Sequence, residues 1–117
     1  MGESLSRVLI VDDNVALAEN IAEILELAGF ASYVAATAED ALPRALDQDV
    51  AVVVTDYRLP GIDGIELIKR IRRERRHVRC FLISAYGDDS IISSAEGLGA
   101  KFLGKPVDMA ALLQTLR

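Results

Sequence analysis

The sequence predicts an α/β domain: a five-stranded parallel sheet with helices on both faces, a doubly wound (βα)5 arrangement. Three observations predict it. Short apolar runs alternate with longer stretches of helical periodicity along the whole chain. The central run, VAVVVT from Val50 to Thr55, is apolar on both alternating faces and so needs cover from two sides. The length, 117 residues with 51% apolar and 26% charged, suits one globular core, with no linker, repeat or low-complexity tract to divide it.

The elements follow in order. Arg7–Val11 (RVLIV) has the length and composition of a buried strand. From Val15 to Ala28, Ile21, Leu25 and Ala28 recur at helical spacing, and Gly29 supplies a stop. Ala31–Ala35 (ASYVA) reads as the second strand. Thr37, with Asp40 three residues on, has the form of a helix N-cap, so a second helix runs to about Leu46. Pro43 inside it removes a backbone donor and makes it short or kinked. After the third strand, Val50–Thr55, a helix from Gly64 to about Arg76 carries Ile65, Leu67, Ile68 and Ile71. Cys80–Ser84 (CFLIS) is the fourth strand, and Asp88–Leu98 a weaker helix. Ala100–Leu103 (AKFL) is the fifth strand; Lys105-Pro106 and a helix from about Asp108 to Leu116-Arg117 complete the chain. That alternation implies right-handed crossovers. Residues 1–117 read as one domain. The leading MGESLS favours a chain that starts here, and the short last helix suggests a downstream partner domain.

Composition excludes several classes. A net charge of −5 argues against general nucleic-acid binding by this domain. No apolar run approaches the ~18 residues of a membrane span and no signal-peptide core is present, so a cytoplasmic protein is expected. Cys80, the only cysteine, opens an apolar run and reads as a buried, inert thiol. Seven of the 13 Lys and Arg residues fall between Lys69 and Arg79. That run reads first as a solvated helix end and second as a partner-docking patch, with His77 a surface histidine within it.

Several polar groups stand where an apolar core would not choose them. The first strand ends in Asp12-Asp13, the third in Asp56 and the fourth in Ser84, while Lys105 closely follows the fifth. In a doubly wound sheet, ligands sit in the crevice beyond the carboxyl ends of the strands, where the strand order reverses. If the order is 2-1-3-4-5, all five groups line one rim. Three carboxylates there repel one another, and each unit of pKa shift corresponds to ~1.4 kcal/mol. Lys105 relieves part of that repulsion, and a hard divalent cation is the natural remainder; Mg²⁺ suits few carboxylates, a backbone carbonyl and retained waters. One oxygen of Asp56 is then free to act as a nucleophile toward a phosphoryl group. Lys105 and the Ser84 hydroxyl are correctly typed to stabilise the transferring oxygens. Taken singly, Asp12-Asp13 serves equally as a helix cap, Ser84 as a turn former, Lys105 as a surface charge and Asp56 as a cap for the turn after it. Their joint placement on successive strand ends carries the argument.

Four segments, LIVDDN (Leu9–Asn14), DYRLPGIDG (Asp56–Gly64), LISAYG (Leu82–Gly87) and GAKFLGKP (Gly99–Pro106), span nearly the whole chain. In them the chain resembles a response-regulator receiver domain, the phosphoacceptor half of two-component signalling. The resemblance implies a flavodoxin-like fold with strand order 2-1-3-4-5. It implies that Asp56 accepts a phosphoryl group from a phosphohistidine on a sensor histidine kinase or histidine phosphotransfer protein. Asp13, Asp56 and the backbone carbonyl of Arg58 would bind Mg²⁺ directly, and Asp12 through water. Lys105 would contact the phosphoryl group and precede a cis bond to Pro106, a geometry found in only ~5–6% of X-Pro bonds. Ser84 would swing in to hydrogen-bond the phosphoryl oxygen. Phe102, at the aromatic switch position, would turn inward with it, a two-state equilibrium biased by local charge. The readout surface would be the fourth helix, fifth strand and fifth helix, here Ile91, Ile92, Lys101 and Phe102. It would address an output domain or partner, homodimerisation included. Such a domain dephosphorylates itself but is not a multiple-turnover enzyme. Phe102 has no hydroxyl, which closes any switch through a tyrosine OH. Arg58 and Tyr86 flank the site and bear on the phosphoryl lifetime in either direction.

Two other readings compete. An aspartate-nucleophile phosphatase would carry DxD at the end of the first strand, where this chain has Asp12-Asp13-Asn14. A receiver-like interaction module working without phosphorylation would not need the complete set of side chains that is present. A flavin site is disfavoured because the third and fourth strand ends offer an acid and a hydroxyl rather than a phosphate-cradling glycine loop.

Overall fold

The computed structural model describes residues 7–85 and 87–116, so the readings that fall on MGESLS, Tyr86 and Arg117 lie outside the described residues. Ten elements alternate without exception: β1 Arg7–Val11, α1 Val15–Leu27, β2 Ala31–Ala35, α2 Ala38–Ala45, β3 Val50–Asp56, α3 Gly64–Glu74, β4 Arg79–Ser84, α4 Asp89–Gly97, β5 Lys101–Gly104 and α5 Met109–Leu116. The sheet is parallel throughout, in the order β2-β1-β3-β4-β5. This is the doubly wound arrangement that the sequence predicts. The order reverses between β1 and β3, and a crevice opens there.

Strand periodicity sorts the apolar residues onto two faces. Leu9, Val11, Val53 and Leu82 point to one side, under Ala41 of α2, Leu67, Ile68 and Ile71 of α3 and Ala95 of α4. Val8, Ile10, Val52, Val54, Phe81 and Ile83 point to the other, under Ala18, Ile21 and Leu25 of α1 and Leu112 of α5. Leu25, Ile68 and Ile71 are fully buried; burying such a side chain is worth roughly 1.5–3 kcal/mol. Cys80 lies in this core, and burial raises its thiol pKa, in keeping with an inert role.

Helix starts are fixed by side chains. The Asn14 side chain accepts from the Leu17 N–H, Thr37 from Asp40, Asp63 from Glu66, Asp88 from Ile91 and Asp108 from Ala111. Helix α1 stops at Leu27, and Gly29 turns the chain with φ 98°. Helix α2 contains Pro43 and is short, eight residues long.

Helix α3 ends at Glu74, two residues before the expected Arg76, because Arg75 is already extended (φ −138°, ψ 98°). One terminal nitrogen of its guanidinium donates to the carbonyls of Ala45, Asp47 and Val50 at 2.9, 2.8 and 2.6 Å. Arg72 likewise donates to the carbonyls of Leu98 at 2.9 Å and Gly99 at 3.3 Å, and to that of Val78. Part of the basic run is thus a pair of internal clamps across the loops at the amino-terminal edge of the sheet. Lys69, Arg73 and Arg76 keep the solvated role. Replacing Arg75 by Met is expected to lower stability by about 2–3 kcal/mol, since hydrogen bonds to charged groups are worth roughly 1.5–3 kcal/mol. The exposed neighbour replaced in the same way, Arg73→Met, should stay within about 0.5 kcal/mol of wild type. Urea unfolding of the two variants compares them, and equal midpoints would contradict the clamp.

Candidate functional site

The register of the central strands sets the site. Val11 pairs with Thr55, so Asp12 and Asp56 leave neighbouring strands at the same level. Ile83 pairs with Asp56, which brings Ser84 to the adjacent strand end, and Ser84 in turn pairs with Gly104, just before Lys105. The sheet thereby delivers Asp12, Asp13, Asp56, Ser84 and Lys105 to one rim.

Asp12 is fully buried. Its Oδ1 accepts the Asn14 N–H at 2.9 Å, and its Oδ2 lies 3.3 Å from Lys105 Nζ. Asp56 is 8% exposed, and its Oδ2 also lies 3.3 Å from Lys105 Nζ. Asp13 is exposed, and carboxylate oxygens of Asp12, Asp13 and Asp56 all fall within 4.8 Å of one another. This all-oxygen donor set suits a hard cation such as Mg²⁺ or Ca²⁺ rather than a metal that prefers sulfur or nitrogen. Ser84 is buried, and its carbonyl accepts the Lys105 N–H at 3.0 Å, which ties the ends of β4 and β5 together. The Lys105-Pro106 bond is cis. Arg58 is exposed in the loop two residues after Asp56. Phe102 is not among the clustered groups. It is half-buried on β5, packed against the core under α3 and α4, with its ring edge beside Gly87.

The electrostatics follow from this crowding. Burial, reinforced by the charge of Asp12, raises the Asp56 pKa, and Lys105 opposes the rise only in part. For Lys105, burial pulls the pKa down, but Asp56 and Asp12 outweigh it and the net shift is upward, so the ammonium stays charged.

Asn14, not Asp12 or Asp13, caps α1, and Asp63 caps α3. Both caps are visible in sequence as Asn or Asp immediately before an apolar-periodic run. Two supports of the Asp56 backbone have no comparable signal. Thr55 Oγ1 donates to the Asp56 carbonyl at 3.0 Å inside the core. A Cβ on Gly64 would lie 2.3 Å from that same carbonyl oxygen, so only glycine lets α3 begin there.

Comparison with known proteins agrees with this fold. The family model for the response regulator receiver domain matches residues 8–117. The chain is 36% identical over 118 residues to the transcriptional regulatory protein FixJ of Azorhizobium caulinodans, and spans 100% of itself but 56% of that protein. Among solved structures it matches a response regulator receiver protein from Pseudomonas putida with a TM-score of 0.90 and 30% identity, over 98% of both chains. It matches a response regulator from Burkholderia pseudomallei, solved with a phosphorylated aspartic acid, calcium ion and citrate, with a TM-score of 0.87 and 26% identity. That match covers 96% of this chain and 66% of the other. With a family match over nearly its whole length and the same fold, the chain belongs to the response regulator receiver domains of two-component signalling.

Proposed function

We propose that Asp56 is the phosphoacceptor of this receiver and that its donor is a phosphohistidine on a sensor histidine kinase or histidine phosphotransfer protein. The observation that carries the reading is the buried Asp56 carboxylate at the end of the central strand, 3.3 Å from Lys105 Nζ and clustered with Asp12 and Asp13. A carboxylate oxygen of Asp56 attacks phosphorus while the P–N bond to histidine breaks. The bonding pair stays with the imidazole nitrogen, and an aspartyl-phosphate forms. Lys105 offsets charge on the transferring oxygens, and the Ser84 hydroxyl donates a hydrogen bond to one of them. Asp13, Asp56 and the Arg58 backbone carbonyl would hold Mg²⁺, with Asp12 acting through water. Bound Mg²⁺ would offset the charge of the carboxylates and the phosphoryl oxygens. The phosphorylated aspartate and calcium ion of the Burkholderia relative support both assignments.

Residues 1–117 are read as one receiver unit that acts as acceptor and switch rather than as a multiple-turnover enzyme. Ser84 and Phe102 would relay phosphorylation to the α4-β5-α5 face, where an output domain, a partner or a second copy docks. Among the described residues no helix is long and apolar enough to cross a membrane. Work beside a kinase's phosphotransfer domain supports a cytoplasmic setting.

Incubation with Mg²⁺ and acetyl phosphate should yield an acid-stable, base-labile adduct of one phosphoryl group per chain, seen by intact mass. Asp56→Asn should abolish it, and equal labelling of that variant would remove Asp56 as acceptor.

Binding of a cation to the native state alone raises thermal stability, by about 2.7 kcal/mol at a hundredfold excess over Kd. Mg²⁺ should therefore raise the melting temperature of the wild type and have little effect on Asp13→Ala. An undiminished Mg²⁺ response in that variant would place the cation elsewhere.

Without a divalent cation, the raised Asp56 pKa has a definite sign in stability. Its contribution is favourable below the unfolded carboxylate pKa of about 3.9 and is lost as pH rises through the folded value. Asp56→Asn should accordingly unfold at higher urea concentration than wild type at pH 7, with the gap closing toward pH 4. A gap that widens on acidification would contradict the electrostatic picture.

A further inference from the structure

Gly87 lies exposed in the turn between β4 and α4, where glycine answers a need for space. A Cβ at this position would stand 3.1 Å from Cζ and 3.2 Å from Cε2 of Phe102, and 3.8 Å from Cδ1 of Ile92. Carbon atoms are most favourably placed at about 3.5–4.0 Å, so both ring contacts would be repulsive. The edge of the Phe102 ring occupies the volume that a side chain at 87 would need.

Phe102 sits on β5, the last strand of the sheet, half-buried against the close-packed core under α3 and α4. A core at native density resists a ring pushed further in. The few tenths of an ångström that a Cβ at 87 needs are therefore gained by movement of the ring away from the core.

We infer that Gly87 holds open the seat of Phe102, so that the residue at 87 sets the balance between the seated ring and a ring swung outward. The inference deepens the reading above and rests on it for its consequence, since Phe102 is the proposed aromatic switch. If ring position and phosphorylation share one equilibrium, a wedge at 87 must alter the affinity for a phosphoryl group, by the reciprocity of coupled equilibria.

The test is a double-mutant cycle: Gly87→Ala in the wild type and in Phe102→Ala, followed by urea unfolding. Any gain from a stiffer unfolded chain is common to both backgrounds and cancels. With Phe102 present, Gly87→Ala should shift the unfolding equilibrium constant toward the unfolded state by about fivefold more than without it, the low end of an overpacking effect. Phe102→Leu serves the same cycle if the alanine variant does not fold. Labelling with 19F-phenylalanine should show the Phe102 resonance of Gly87→Ala moving toward a solvent-exposed shift, with Phe30 and Phe81 unmoved. No coupling in the cycle, or an unmoved Phe102 resonance, overturns the inference.

Binding of beryllium fluoride with Mg²⁺, a phosphoryl mimic, then separates the two claims. A changed affinity in Gly87→Ala supports both the seat and the switch. Coupling in the cycle with unchanged affinity upholds the seat and overturns Phe102 as the switch.

Discussion

Lys105 Nζ stands 3.3 Å from Asp12 and 3.3 Å from Asp56, and so keeps two buried like charges in one crevice. Without an opposite charge, two desolvated carboxylates at this spacing would protonate or drive the strand ends apart. The surrounding architecture serves that contact. Parallel pairing of Val11 with Thr55 brings the acids level, and the Lys105 N–H on the Ser84 carbonyl anchors the lysine's backbone on the neighbouring strand. The ammonium therefore reaches the acids from the far side of the crevice, two strands away from Asp56, without its stem entering the core.

The same placement joins the charged rim to the outer edge of the sheet. Ser84 ends β4, Gly104 ends β5, and Phe102 lies two residues earlier on that edge strand. Lys105, in contact with Asp56, is thus three residues along the chain from a half-buried aromatic on the edge strand.

Much of this was legible in the sequence because it rests on periodicity. The ten elements follow from apolar spacing and caps, and the five rim groups from the habit of strand ends in parallel sheets. The pattern through Ile71 and the arginines predicts α3 to about Arg76, two residues past its end, because it cannot reveal that Arg75 leaves the helix to reach three distant carbonyls. For the same reason the sequence of the cationic run does not show that Arg72, Arg75 and Arg79 donate to distant backbone carbonyls. Nothing in the local sequence marks Gly64 or Gly87 as short of space. Their need for space comes from the Asp56 carbonyl and the Phe102 ring, which only the tertiary fold brings near. The helix-capping role open to Asp12-Asp13 belongs to Asn14, one residue on.

The two ends of the sheet are held by interactions of different kinds. At the amino-terminal edge, Arg72 and Arg75 engage neutral carbonyls at contact distance, partly shielded from water. At the rim, two buried acids, Asp12 and Asp56, share the ammonium of Lys105, with Asp13 beside them. Mobile ions screen exposed charge over a Debye length of about 8 Å at physiological ionic strength and reach buried charge far less. Added salt therefore eases the repulsion among the exposed cations of the basic run, whereas the buried acids of the rim answer to a counter-charge that enters the crevice itself.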